Sequence, residues 1–171
     1  MKINTMDSNN LKTLINELKS RVNISSAARF FIKNICQLNN WVYGEFWLPD
    51  KDNTFMIWSG CWSKDEDYFE KFSKFSLMHK FSKGVGLIGK IWEEKNLIWI
   101  NDLFSNTNFL RTELAIKSRL NSAIGIPILN EEKVLLLLCF FLNNLSSNDQ
   151  ENAKAIFSHS EEIGEILAKL D

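Results

Sequence analysis

Val134 to Leu142 is an unbroken run of nine apolar residues, Val-Leu-Leu-Leu-Leu-Cys-Phe-Phe-Leu. It is well short of the roughly 18–20 residues that span a bilayer, so it has to be buried in protein. A strand covered on both faces reads as continuous apolar sequence, which predicts a central position in a sheet for this segment, extended to Asn143. Ser122 to Leu129 precedes it across a turn at Asn130-Glu131-Glu132, so the two form a hairpin.

The rest of the chain supplies layers for such a sheet. Asp7 is placed to cap a helix in which Leu11, Leu14, Ile15 and Leu18 recur at helical spacing. A second helix, Ser26 to Leu38, shows Ala27, Phe31, Ile35 and Leu38 at the same period. Trp41 to Leu48 and Thr54 to Trp62 are aromatic and β-branched, flank the turn cluster Pro49–Asn53, and read as a first hairpin. Between the hairpins the sequence predicts a helix over Asp65–Phe75, a weak strand over Met78–Phe81 and a short helix over Leu87–Lys95. A strand over Leu97–Ile100 and a helix over Phe109–Arg119 follow. One closing helix is expected from Ser147 nearly to the C-terminus. Helices followed by hairpins imply an α+β sandwich around an antiparallel sheet, not a doubly wound fold.

Length and charge narrow the function. A chain of 171 residues fits one domain without disulfides or structural metal. A net charge of -1 with no basic stripe disfavours nucleic acid. Met1 to Asn10 is polar and has no signal-peptide core, and Cys36, Cys61 and Cys139 are scattered, which predicts reduced thiols in a cytoplasmic protein with no membrane association. Six Trp and thirteen Phe exceed ordinary usage, and part of that surplus is available to line a pocket or an interface.

Gly84-Val-Gly-Leu-Ile-Gly89 matches G-x-G-x-x-G, with Asp102 about 18 residues after Gly84. Three features oppose a dinucleotide site: the preceding strand is short and polar, the following helix has only about two turns, and the final hairpin contradicts a parallel sheet. The glycines are expected instead to turn the chain tightly and bring a short helix close to the sheet.

The same stretch carries a family likeness. Lys83-Gly-Val-Gly-Leu-Ile-Gly-Lys-Ile-Trp92, then Ile98-Trp-Ile-Asn-Asp102, Phe109-Leu-Arg111 with Ala115, Ala123-Ile-Gly-Ile-Pro127 and the strand ending Cys139-Phe-Phe141 together resemble a GAF domain. Trp41 to Asp50 is similar to the first strand of a subgroup from bacterial signalling proteins. Arg119 stands where that family usually has glycine, and Ile88 where the subgroup usually has proline. The resemblance implies residues 1–24 as a helical extension and 25–171 as the GAF-like domain. It implies five to six antiparallel strands, terminal helices on one face, and short helices and loops over a pocket on the other. It also implies signal transduction as the setting.

Each ligand chemistry of that family meets a different residue test. Residues 104–121 hold no cysteine for bilin attachment, and Cys61 is the only thiol expected near the cavity. His79 is the only axial-ligand candidate for haem there and is read as a strand-edge residue. No cofactor is therefore expected, haem and bilin least of all. Free methionine sulfoxide reductases of this fold use clustered cysteines, which are lacking here, and the spaced Asn-Lys-Phe-Asp-Glu set of cyclic-nucleotide binders is also lacking. His159 is read as a solvated helix residue, and the Glu93-Glu94 and Glu131-Glu132 pairs as solvated turns. With no recognised catalytic constellation, the chain is expected not to be an enzyme.

By strand period, Tyr43, Glu45 and Trp47 share one face, and Trp58 and Trp62 are expected to share one on the next strand. With Trp92, Trp99, Phe109 and Arg111 they form the candidate ligand-binding set. Either Glu45 and Arg111 anchor a ligand in an aromatic pocket, or they pair with each other and the rings fill the space. The sequence thus leaves two functions, a small-molecule sensor that signals through a partner protein and a ligand-free dimerisation or interaction module, with a small-molecule enzyme a distant third. A homodimer is expected through the terminal helices, where Ala153, Ile156, Ser160, Ile163, Leu167 and Leu170 form a stripe widened by Phe157 and Ile166.

Overall fold

The computed structural model describes residues 6–170. The first five residues of the expected extension and the last residue of the expected domain lie outside that range. Two helices, α1 (Ser8–Leu18) and α2 (Ile24–Asn39), lead into the hairpin β1 (Tyr43–Pro49) and β2 (Met56–Ser63). The middle holds α3 (Glu66–Leu77), β3 (Lys80–Phe81), α4 (Gly86–Glu94), β4 (Ile98–Ile100) and α5 (Thr112–Lys117). The second hairpin, β5 (Ser122–Asn130) and β6 (Lys133–Leu142), precedes α6 (Ser147–Ser158) and α7 (Ser160–Leu167).

All six strands form one antiparallel sheet in the order β3-β2-β1-β6-β5-β4. The apolar strand β6 lies in the middle, bonded to β1 and β5, as a strand with no polar face must. Alternate residues feed two cores. Phe46, Ile124, Ile126, Leu138 and Phe140 meet α1, α2, α6 and α7. Tyr43, Trp47, Leu137, Cys139 and Phe141 meet α3, α4 and the segment through α5, which together make a lid. Among the described residues, no helix is long and apolar enough to cross a membrane.

Local chemistry sets the element ends. Asp7 accepts the Asn9 N–H at the start of α1, Asn23 and Ser26 form a capping box on α2, and Asp65 accepts the Tyr68 N–H at the start of α3. Gly84 has φ 77 and donates to the Gly89 carbonyl at 2.9 Å. A Cβ on Gly89 would collide with the Ser82 carbonyl oxygen. The fingerprint glycines therefore fold the loop onto itself and leave little amide cradle for a pyrophosphate. Arg119 adopts φ 53 before β5, a left-handed position that accounts for glycine being the usual residue there.

Two elements depart from expectation. The helix expected over Phe109–Arg119 is helical only from Thr112 to Lys117. The closing helix breaks at His159 (φ -100, ψ 10), where the ring bonds Glu162 at 2.8 Å. Ser160, the first residue beyond the break, donates to the Pro127 carbonyl at 2.7 Å and accepts the Leu129 N–H at 3.0 Å. Leu129 lies at an irregularity of the β5–β6 ladder, so a side chain supplies the partner for its N–H.

Candidate functional site

Three elements converge on Glu45. Its neighbours on β1, Tyr43 and Trp47, donate to it at 3.2 and 3.0 Å. Ser76, one residue from the end of α3, donates at 3.2 Å. Arg111, the N-cap of α5, closes the arrangement through two parallel bonds, Nη2 to Oε1 at 2.8 Å and Nη1 to Oε2 at 3.1 Å, and also bonds Ser76. Glu45 is 0% exposed and Arg111 3%. Of the two arrangements open to Glu45 and Arg111, the structure shows the mutual pair.

The guanidinium is enclosed by rings, with its carbon 4.5 Å from the Phe72 centroid, 4.9 Å from Phe141 and 5.6 Å from Phe109. Burial opposes the Arg111 charge, but the Glu45 carboxylate outweighs it and holds the group above its ordinary value. Burial, with Glu45 adding to it, pushes the Tyr43 phenol and the Cys139 thiol well up. Burial raises the Cys61 thiol, and the neighbouring Tyr43 hydroxyl partly offsets it. Cys61 and Cys139 flank Glu45 in register on either side of β1, a strand apart from each other and too far for a disulfide without backbone movement.

Seven of the nine residues in the sequence-derived set lie on the lid side: Tyr43, Glu45, Trp47, Trp58, Trp92, Phe109 and Arg111. Trp62 and Trp99 do not; both pack against the terminal-helix core. The shared face expected for Trp58 and Trp62 fails because β2 carries a bulge. Phe46 opposes Gly60 and Trp47 opposes Trp58, which leaves Ser59 as an extra residue and resets the alternation. Arg29 of α2 holds the Ser59 carbonyl at 3.2 Å. In β4, Ile98 and Ile100 face the lid core, so Trp99 between them faces away. His79 is exposed and stacks on Phe75 at 3.9 Å, in keeping with a strand-edge residue. Ser76 was absent from the sequence-derived set. Its signal was a polar residue four after Phe72, on the buried stripe of α3.

The side chains of this cluster fill the space under the lid, with Tyr43 5.1 Å from Phe72 and Phe72 5.1 Å from Phe141 between centroids. Outside it, between α3 and α5, lies a cleft of about 430 Å3 lined by Phe75, Leu110, Arg111, Thr112, Glu113 and Leu114. Arg111 thus lines this outer cleft while its guanidinium is packed beneath the lid.

A profile described as GAF domain matches residues 22–168. The chain belongs to the GAF domain family. No curated protein sequence matches it significantly. The GAF fold is shared with the GAF domain of an Acinetobacter phosphoenolpyruvate-protein phosphotransferase, at TM-score 0.70 and 13% identity over 99% of this chain and 96% of that one. Free methionine-R-sulfoxide reductase from Neisseria meningitidis gives 0.71 and 11%, over 95% and 91%. A type II enzyme of the same name from Thermoplasma acidophilum gives 0.63 and 11%, over 92% and 96%. At these identities the likeness is one of fold alone. The two reductases nevertheless correct the expectation that this chain is not an enzyme. Its GAF fold is one that carries catalysis, so the lack of a familiar motif does not set an enzymatic role aside.

Proposed function

We propose that this GAF domain is a regulatory module whose ligand chamber is held shut by the Glu45–Arg111 pair until a small molecule takes over part of that bonding. The buried pair carries the reading. Replacing such a pair with apolar residues is often neutral or stabilising, so stability alone is a weak reason to keep one, and a switch is a better-attested use. The bonded groups come from β1, the end of α3 and the start of α5, the elements that must part for the lid to open. The ligand suited to the chamber has a mostly apolar body and one planar polar group able to bond the guanidinium fork.

The same residues link the chamber to the surface. Leu77 and Met78 follow Ser76 and are 61% and 81% exposed, and Leu110 precedes Arg111 and is 56% exposed. Lid opening re-aims these apolar side chains, which supply a surface for a partner protein to read. A second reading, a ligand-free interaction module, draws on the close packing under the lid.

Melting temperatures measured across a metabolite library separate the two. A ligand at a hundred times its dissociation constant adds about 2.7 kcal/mol. The sensor reading expects a stabilising compound whose effect disappears in Arg111→Lys, which keeps the charge and loses the fork. If no compound raises the melting temperature of the unaltered chain, the interaction reading takes its place.

A further inference from the structure

At the turn end of the sheet, Lys83 from the glycine loop, Lys95 from the end of α4 and Lys133 from the start of β6 line one groove of about 260 Å3 with Asn53 and Trp92. None of the three lysines has an ion-pair partner among the described residues, whereas Lys74, Lys90 and Lys154 do. Glu132 is the one carboxylate lining the groove, so it holds a local excess of positive charge in a chain of net charge -1. Lysines brought to one groove from three separate segments favour an anion between them.

Trp92 gives an independent indication. It is 4% exposed, with Lys83 Nζ 5.2 Å from its ring centroid. Trp41 and Trp47 donate their indole N–H groups to Asp149 and Glu45. Trp92 has no such acceptor among the described residues. The Trp58 N–H is also without a partner but is wholly enclosed. That of Trp92 is not enclosed in this way, and Trp92 lines the groove. A buried indole N–H ordinarily has a protein acceptor; that of Trp92 has none among the described residues, which leaves it free to bond a ligand.

We propose that this groove binds a small metabolite carrying two or more negative charges on phosphate or carboxylate groups, held by Lys83, Lys95, Lys133 and the Trp92 N–H. The loop amides contribute little, since Gly84 and Gly89 donate within the loop. A nucleic-acid backbone does not fit, because the exposed Asp52 and Glu131 stand on the two turns that bound the groove and would repel its phosphates. The groove borrows Trp92 from the edge of the lid-side core but contains none of the Glu45–Arg111 network, so the site stands whether or not the chamber takes a ligand.

The test is a titration of the full chain with pyrophosphate and, separately, citrate, following indole N–H resonances by NMR. A saturable shift of the Trp92 resonance is expected, with the Trp47 resonance unmoved. Response to pyrophosphate alone assigns the site to phosphates, to citrate alone to carboxylates, and to both to the shared charge. Lys95→Gln with Lys133→Gln weakens binding about tenfold, the sum of several modest charge contacts, while Lys12→Gln on the exposed face of α1 leaves it unchanged. No saturable Trp92 shift with either anion, or equal weakening by Lys12→Gln, overturns the proposal.

Discussion

Glu45 and Arg111 are each other's buried counter-ion, so removing one leaves the other's charge unpaired in the core. Arg111→Ala leaves the Glu45 carboxylate buried without its cation and is expected to cost about 3–5 kcal/mol in urea unfolding. Replacing both with Met should cost less than the sum of the single changes, and strict additivity would contradict the coupling described here. The buried acids give a second prediction. Burial raises Cys36 and Cys139 above the ordinary thiol value of 9.0 and Tyr43 above 10.0. In unfolded chains these groups ionise first, so their contribution to stability is complete below pH 9 and is lost as the pH rises through the raised folded values. Urea midpoints should fall above pH 9, and Cys36→Ala with Cys139→Ala should flatten that limb. At this scale the sequence already paired Glu45 with Arg111 as one of two arrangements, because strand period fixed one and the family likeness the other. Ser76 was marked only by its place on the buried stripe of α3, and its partners, 31 and 35 residues away, could not be read from it.

Strand and helix positions were largely legible because apolar spacing and capping residues act locally. Errors arose where tertiary contacts override the local pattern. Phe69, Phe72 and Ser76 turn inward on α3, while the neighbouring aromatic Tyr68 is 47% exposed. The break at His159 depends on β5, which offers Ser160 a carbonyl and an N–H that no reading of the helix alone contains. The glycine loop, by contrast, was read for its geometry, and it makes a sharp prediction. Gly89→Ala forces its methyl into the Ser82 carbonyl and should cost about 1–3 kcal/mol. Circular dichroism melting measures this, and an unchanged melting temperature would show that the α4 contact relaxes freely.

Across the whole molecule, the two-layer arrangement and central β6 followed from one apolar run and the order of the hairpins. Which chemistry occupies the lid side did not, since fold leaves function open. The terminal-helix stripe is largely consumed within one copy, with Ala153, Ile156, Ile163 and Leu167 buried on the sheet. A homodimer through these helices is left the half-buried Ala155, Phe157 and Leu170. We keep it as a proposal: light scattering at micromolar concentration should show twice the monomer mass, and Phe157→Glu should halve it. A monomer mass for the unaltered chain removes this dimer.

Ser59 bears on more than its own strand. Deleting it would make Trp58 and Gly60 consecutive and the ladder regular, while Cys61 stayed opposite Glu45 and Trp62 stayed on the terminal-helix side. Arg29 would lose the carbonyl it holds. The extra residue therefore serves the tie between α2 and the sheet, and its loss would loosen that tie without turning a single later side chain over.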